Sequence, residues 1–399
     1  MNDIAHVRKL MADRRRARRG GPQTESAAAI VAEADAPHTD DVLAHVDEVM
    51  RRMPADEMGD PTEFERALTT FLRHADRGLR TLDREPTAPL DRDASFAVEA
   101  VIRTDGTRPS IPVREGVVDP EHPLAGSWHD TLVAVRDTIR VRLAAVGRIE
   151  PATPSANNFF GTGWLVDKAK GLALTNLHVL EAMWRRLPNA MLKNADGSFR
   201  VLPGAAFIDF AAELGSLEKR RFQIVEARGA GIDGAGFARL DAAVLKVEPL
   251  AGAAALTDLP EPIPVIADVD GPMGNLTSFA VVGYPGPPLF TTGVHEGVDW
   301  VWVNGALFGG RFGIKRLSPG QAHKPLGTLV GDAKPWVFGH DATTLGGSSG
   351  SVALAWLDQG KGGFGLHFAG ASVDTNYAHA IGQIRERLTV LGITVQDPQ

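Results

Sequence analysis

Three residues stand in surroundings that suit acyl transfer. Ser349 lies in a Gly-Ser-Ser-Gly run at 347–350, His178 follows an apolar run that ends in Thr-Asn-Leu, and Asp241 opens an apolar run. A serine that transfers acyl groups needs an imidazole to take its proton and a carboxylate to hold that imidazole's tautomer. The sequence therefore offers one candidate for each role: Ser349 as nucleophile, His178 as base and Asp241 as the orienting acid.

The glycines around Ser349 suit a second requirement of the same chemistry. Acyl transfer also needs backbone N–H groups that face the developing oxyanion. Glycine lets a loop turn tightly because it has no Cβ. The run at 347–350 can thus bring the N–H groups of Gly347 and Ser349 to one point, and these two are the predicted oxyanion hole.

Four short motifs resemble, in chain order, those of the trypsin-like peptidase superfamily. They are Gly-Thr-Gly-Trp at 161–164, Thr-Asn-Leu-His at 175–178, Asp-Ala-Ala-Val-Leu at 241–245 and Gly-Ser-Ser-Gly at 347–350. Each alone is common in loops and strands without catalysis, but the ordered set is specific. The resemblance covers roughly 146–391. It implies a mainly β fold of two six-stranded antiparallel barrels, chymotrypsin-like, with the active site in the cleft between them.

Within this superfamily the chain is most similar to bacterial glutamyl-endopeptidase-like and Htr-type enzymes, which also lack disulfides. One departure concerns the residue before the nucleophile, which is Asp in the digestive enzymes and pairs there with a newly cut amino terminus. Here it is Ser348. We therefore do not expect that activation mechanism, and a long N-terminal extension becomes tolerable.

The resemblance also implies a pocket for the side chain before the scissile bond, lined by Thr344 and His367. This pair is similar to the acid-recognising pocket of glutamyl endopeptidases. A histidine with a hydroxyl partner can donate charge-assisted hydrogen bonds to a carboxylate. The other interpretation, a structural histidine on a buried strand, stays open.

Two competing motifs are weaker. Gly346–Gly350 also satisfies the Gly-x-Ser-x-Gly elbow of α/β-hydrolases with Ser348 as nucleophile, but that fold needs a helix directly afterwards and its acid and histidine later in the chain. Gly229–Gly234 matches a dinucleotide fingerprint without the helix that the site requires. We expect a hairpin loop there, no cofactor and no catalytic metal.

The composition limits the other function classes. The 399 residues include no cysteine, so disulfides and a thiol nucleophile are excluded. A net charge of -7 disfavours a nucleic-acid partner, although five arginines cluster at 14–19. We find neither a signal-peptide core nor a run of about 18 apolar residues. The expectation is a cytoplasmic protein with no membrane partner.

The elements that must position these residues follow from the hydrophobic pattern. We predict a flexible basic tail at 1–38, a small helical module at 39–90, a linking extension of hairpin and helix at 91–145, and the protease domain at 146–395. The hairpin joins Phe96–Ile102 to Ser110–Val113, the linking helix spans Trp128–Leu143, and a C-terminal helix spans Tyr377–Leu391. Short runs without intervening helices favour antiparallel sheets: 162–166, 172–176, 222–226, 241–247, 278–283, 299–303, 351–356 and 365–370.

The sequence thus predicts a serine endopeptidase that forms an acyl-enzyme on proteins or peptides, with residues 1–145 regulating it or recruiting a partner protein. The alternative is a protease-fold scaffold without turnover. A chain that begins near Trp128 is expected to keep the protease fold, because all four motifs follow that residue.

Overall fold

The computed structural model describes residues 39–85, 88, 90–91, 93–94, 97–98, 101, 106, 108–231, 236–250, 255–267, 278–287, 305, 311–356, 362–371 and 375–397. The predicted tail at 1–38 and the predicted strand at 299–303 lie outside these ranges.

Two helices open the described chain, α1 (Thr39–Arg51) and α2 (Pro61–Arg84). The predicted start of the second helix is confirmed: the side chain of Asp60 accepts hydrogen bonds from the backbone N–H groups of Thr62 and Glu63. The buried residues Phe64, Leu68 and Phe71 of α2 follow helical spacing and form one stripe. This stripe joins a core that continues into the barrels.

A hairpin follows, but its position differs from the prediction. It pairs β1 (Ile111–Arg114) with β2 (Val117–Val118). Residues 97–98 and 101, predicted as extended, are helical instead. Val98 lies so close to Gly78 of α2 that a Cβ there would meet it at 2.7 Å, so packing against a helix overrides the local β propensity. After a 3₁₀ turn (Pro123–Trp128), helix α3 (His129–Ala144) lies close to its predicted bounds.

The first barrel closes from six antiparallel strands in the order β10-β5-β4-β3-β8-β9, with β9 paired again to β10. A short hairpin of β6 and β7 extends the sheet beyond β9. A helix, α4 (Leu177–Arg186), follows β5. The strands are β3 (Val146–Pro151), β4 (Gly161–Asp167), β5 (Leu172–Thr175), β6 (Met191–Lys193), β7 (Phe199–Val201), β8 (Ala206–Asp209), β9 (Arg221–Gly229) and β10 (Ala243–Glu248).

The second barrel closes in the order β11-β14-β15-β16-β13-β12, with β12 paired again to β11. The hairpin of β1 and β2 extends this sheet, because β1 pairs with β12. The double-barrel prediction is therefore confirmed. The strands are β11 (Ser278–Gly283), β12 (Arg316–Lys324), β13 (Val337–His340), β14 (Val352–Ala355), β15 (Gly362–Ala371) and β16 (Thr375–Ala380).

The C-terminal helix begins later than predicted. Residues 375–380 form β16, which pairs with β13 and β15, and only then come a 3₁₀ turn (Ile381–Ile384) and α5 (Arg385–Val390). The apolar spacing from Tyr377 fits a helix, but the partner strands on both sides decide the conformation.

Large aromatic side chains fill the interior. Trp164, Trp356 and Tyr284 are fully buried. None of the helices in the described ranges combines the length and apolar content needed to cross a membrane.

Candidate active site

Antiparallel pairing of β5 with β10 brings His178 and Asp241 together. Ala243, at the start of β10, lies opposite Thr175, at the end of β5. The chain just before β10 therefore meets the chain just after β5. The buried Asn176 fixes this corner, because its side-chain amide donates to the backbone carbonyl of Asp241 over 2.8 Å.

The Asp241 carboxylate contacts His178 at two points. Oδ2 lies 2.5 Å from the imidazole Nδ1, and Oδ1 accepts from the backbone N–H of His178 over 2.9 Å. Burial acts to raise the pKa of Asp241, but the hydrogen bonds and charge of His178 outweigh it, so that pKa is lowered. An ionised carboxylate thus holds the imidazole in the orientation that leaves Nε2 outward.

Ser349 lies in the loop between β13 and β14, which we call the Ser349 loop (residues 341–351). β14 pairs with β15, and the loop stays beside that strand: the N–H of Gly350 donates to the carbonyl of His367, and the N–H of His367 to the carbonyl of Ser351, each over 2.9 Å. Gly350 has φ +89°, and a Cβ there would lie 2.0 Å from the Thr162 carbonyl oxygen. Only glycine fits this position.

Thr162 of β4 holds the carbonyls on both sides of the loop's turn. Its N–H donates to the carbonyl of Ser349 over 2.9 Å, and its hydroxyl to the carbonyl of Gly347 over 3.0 Å. Among the described residues, the N–H groups of Gly347 and Ser349 themselves find no acceptor, whereas that of Ser348 is bonded to Leu345. The two predicted oxyanion donors are therefore among the N–H groups of the loop that internal bonding leaves available.

The two adjacent serines differ in their surroundings. Ser348 is buried, and its hydroxyl accepts a hydrogen bond from the backbone N–H of Leu345 over 3.3 Å. Ser349 is half-exposed. Of the two hydroxyls, that of Ser349 is the more accessible to a substrate.

Gly161 marks the place where the two halves of the site meet. A Cβ on Gly161 would lie 2.8 Å from Val179, the residue after His178, and 3.0 Å from the carbonyl oxygen of Ser349. Within the described residues, no hydrogen bond links the Ser349 hydroxyl to His178. Such catalytic contacts are often long before substrate binds.

Of the two predicted pocket residues, Thr344 lies in this loop and His367 lies beside it, and both are engaged internally. His367 is 2% exposed, and its Nδ1 lies 3.2 Å from Nε2 of the buried His340. Burial and the charge of nearby His178 lower the pKa of His367 to about 3, although a hydrogen bond with the Tyr377 backbone acts in the opposite direction. The hydroxyl of Thr344 donates to the side-chain oxygen of Asn376 over 2.7 Å.

Sequence reasoning assigned no role to two residues that support the site. His379 accepts at Nε2 from the backbone N–H of Asp241 over 3.0 Å, and its ring stacks on Phe368 with centroids 4.3 Å apart. Thr162 lies inside the Gly-Thr-Gly motif, so the sequence did carry a signal that could have pointed to it. The sequence carried no such signal for His379, because its segment was predicted as a helix.

The competing motifs fare differently. Strand β14, not a helix, follows the Gly346–Gly350 run, so the hydrolase elbow is absent. Gly229 ends β9, which pairs with β10 as neighbouring antiparallel strands; residues 232–235 between them lie outside the described ranges. In the described part of the chain, no three His, Asp or Glu side chains are grouped to hold a metal ion.

A full-length relative shows the class of the protein. A probable serine protease of Lysobacter enzymogenes is 39% identical over 394 residues, which are 98% of each chain. Two solved structures of inactive forms of the Rv3671c protease of M. tuberculosis H37Rv are 18% and 16% identical; they cover 64% of this chain and 90% and 93% of their own, with TM-scores of 0.35 and 0.34. No family model matches the chain. By its full-length relative and its two six-stranded barrels, the chain belongs to the serine proteases with the trypsin-like fold.

Proposed function

We propose that the protein is a serine endopeptidase in which Ser349 is the nucleophile, His178 the general base and Asp241 the residue that orients the base. The observation that carries this proposal is the double contact of the Asp241 carboxylate with His178, through Nδ1 at 2.5 Å and through the backbone N–H at 2.9 Å. A carboxylate bound in this way fixes one tautomer, with the proton on Nδ1 and the lone pair on Nε2.

The reaction follows from these roles. His178 Nε2 takes the proton of the Ser349 hydroxyl as its oxygen attacks the scissile carbonyl, and the oxyanion that forms accepts hydrogen bonds from the N–H groups of Gly347 and Ser349. The imidazolium then protonates the leaving amine, and the acyl-enzyme remains. Water, deprotonated by the same imidazole, hydrolyses the ester and returns Ser349 to its starting state.

The proposal extends to the residue before the cut, which we take to be acidic. His367 is tied to the Ser349 loop through its backbone, and Thr344 lies in that loop. With a pKa of about 3, His367 is neutral at physiological pH and would donate as an imidazole N–H, not as a cation. A pocket with a buried imidazole and a hydroxyl suits a carboxylate better than an alkyl side chain.

We also propose that residues 1–145 regulate the enzyme or recruit a partner protein, and that the protein acts in the cytoplasm. The rival function is a binding protein that keeps the barrels without turnover. The paired His178 and Asp241 favour the enzyme, since a pure scaffold has no need of a buried carboxylate that holds a half-exposed imidazole.

A fluorophosphonate probe tests the proposal because it reacts only with an activated serine. We expect the wild-type protein and the Ser348→Ala variant to be labelled, and the Ser349→Ala and His178→Ala variants to stay unlabelled. Absence of labelling in folded wild-type protein would support the scaffold. Labelling of Ser349→Ala but not of Ser348→Ala would show that the nucleophile is Ser348 and that the proposed assignment is wrong.

A further inference from the structure

The segment between the helical extension and α3 contacts both barrels. We call residues 108–118 the bridging segment. Its strand β1 pairs with β12 of the second barrel. Towards the first barrel, the carbonyl of Val113 accepts from the N–H of Leu214 over 3.1 Å, and the N–H of Gly116 donates to the Glu213 carboxylate over 2.7 Å. The extension is thus anchored at the junction of the two barrels.

Arg108, at the start of the bridging segment, forms a buried ion pair with the Ser349 loop. Its Nε lies 2.7 Å from Oδ1 of Asp341, and its Nη2 donates to Oδ2 over 2.8 Å. The two side chains are only 7% and 4% exposed. A two-point contact between guanidinium and carboxylate fixes direction as well as distance. Asp341 is the first residue of the Ser349 loop.

The backbone of the same arginine holds a second residue of the loop. The hydroxyl of Thr343 donates to the carbonyl of Arg108 over 2.6 Å. Residues on either side of Thr343 are held from within the second barrel instead: the Asn376 side chain donates to the carbonyl of Ala342 and accepts from the hydroxyl of Thr344. Arg108 therefore supplies two contacts between the loop and the N-terminal extension, one through its side chain and one through its backbone.

We propose that Arg108 is a positioning residue for the Ser349 loop, so that the N-terminal extension is a working part of the active site. The inference rests on the proposed function of Ser349. The loop must present the N–H groups of Gly347 and Ser349 at one point, and displacement by about 1 Å can cost about 100-fold in rate. Loss of the Arg108 contacts removes two of the supports at the start of the loop, where Asn376 remains bound, while Thr162 still holds the end.

The first test is kinetic and uses the full chain. Arg108→Ala is expected to lower the rate of fluorophosphonate labelling and kcat by about 10- to 100-fold with little change in KM. Arg108→Lys should recover only part of this loss, because an ammonium cannot make the two-point contact. Thr343→Val should lower the rate by several-fold (about 3- to 10-fold), and Thr343→Ser, which keeps the hydroxyl, should restore it.

The matched control is Arg114→Ala. Arg114 lies in the same bridging segment and also forms ion pairs, with Asp56 and Glu57, but these acids lie between α1 and α2. We expect it to lower the unfolding temperature without slowing the labelling of Ser349. Equal rate losses in the Arg108 and Arg114 variants would overturn the inference in favour of general destabilisation. A loss seen with only one class of substrate side chain would overturn it in favour of a pocket role.

The second test does not depend on activity. In a Ser349→Ala background, addition of Arg108→Ala or Thr343→Val should speed amide hydrogen exchange within 341–351, while exchange in β5 stays as before. Unchanged exchange in the loop would sink the inference even if the rates fell. If the wild-type enzyme is never labelled but the loop loosens as expected, the proposed function fails and the positioning role stands.

Discussion

The backbone N–H of Thr162 donates to the carbonyl of Ser349 over 2.9 Å, which joins a strand of the first barrel to the loop of the second. The hydroxyl of the same threonine donates to Gly347 and accepts from the N–H of Tyr284, each over 3.0 Å. Thr162 is fully buried. One side chain thus ties the predicted oxyanion hole to both barrels, and the second residue of the Gly-Thr-Gly motif gains a physical role.

Replacement of this hydroxyl gives the first prediction. Thr162→Val keeps the shape but deprives the half-buried Gly347 carbonyl and the buried N–H of Tyr284 of their hydroxyl partner, so we expect a loss of about 2 to 4 kcal/mol in unfolding free energy. We also expect kcat to fall by about 10-fold or more, since the loop loses a support. Thr162→Ser should be close to wild type in both urea unfolding and peptide hydrolysis. Equal effects of the two variants would show that the Thr162 hydroxyl is not responsible for the losses.

The second prediction concerns the triad as a unit. His178→Ala and Ser349→Ala should each lower kcat by about 10⁴-fold or more, and the double variant should be hardly worse. Asp241→Asn should cost about 10⁴-fold, because an amide no longer holds the tautomer with the proton on Nδ1. Steady-state kinetics on one peptide substrate measures all four. Losses that add up in the double variant would contradict the assignment of the three residues to one mechanism.

The sequence predicted the double barrel, and it predicted the two strands that bring His178 and Asp241 together, although His178 itself lies in α4 and Asp241 just before β10. It could do so because local strand signals and short motifs carry that information. Its predicted strands omit β3, β6, β7, β8, β12 and β13, and it predicted a helix over β16. The missed strands of the second barrel take their conformation from partners distant in the chain. The role of Arg108 was missed for the same reason, because its partner Asp341 lies far away in the chain, in the second barrel. Roles that depend on long-range ion pairs leave no local pattern.

Buried histidines give the third prediction, on acid stability. Burial lowers the pKa of His379 to about 4, with the charge of Asp241 acting the other way, and that of His367 to about 3. The unfolded chain binds these protons below about pH 6.5, whereas the folded protein does not, so stability falls as the pH drops from about 6.5 towards 4. Each such group adds at most about 1.4 kcal/mol per pH unit to the slope.

A single substitution measures one of these contributions. His379→Gln offers a side-chain oxygen to the Asp241 N–H, and we expect the slope of unfolding free energy against pH to decrease by about one proton. Urea denaturation between pH 4 and 7 gives the slope. His129→Gln is the control, because His129 is exposed and its hydrogen bonds with Asp130 and Glu121 raise its pKa, so its loss should not flatten the curve. An unchanged slope in His379→Gln would show that this histidine titrates normally.

The fourth prediction revises the expectation that a chain beginning near Trp128 keeps the fold. Such a chain lacks β1, Arg108 and Ser110, whose carbonyl accepts from the buried Arg316. Removal of one partner from a buried ion pair costs about 3 to 5 kcal/mol. We therefore expect a chain from Trp128 to be insoluble or poorly folded and one that starts at Arg52 to be better folded. Circular dichroism and thermal unfolding compare the two, and a cooperative transition of equal midpoint would show the bridging segment to be dispensable.

The last prediction concerns the pocket. If His367 and Thr344 bind a carboxylate, a peptide library should be cut after Glu, and more weakly after Asp, in preference to Ala, Phe or Lys. A carboxylate would gain charge-assisted hydrogen bonds, each worth about 1.5 to 3 kcal/mol, that an apolar side chain cannot make. His367→Ala should therefore lower hydrolysis after Glu far more than hydrolysis of a poor substrate. Enrichment of Lys, Arg or large apolar residues before the cut would refute the acidic pocket and leave the triad untouched.

The pH dependence of this preference distinguishes a neutral from a charged His367. Because the pKa of His367 is about 3, the imidazole stays neutral between pH 6 and 9, and the ratio of kcat/KM for a Glu substrate to that for its Gln analogue should stay constant over this range. A cationic imidazole would lose its proton as the pH rises, and the ratio would fall with it. Paired Glu and Gln peptides measured at each pH cancel the titration of the catalytic base, which both substrates share. A ratio that falls steadily from pH 6 would mean that a bound carboxylate raises the pKa of His367 into this range by pairing with its charged form.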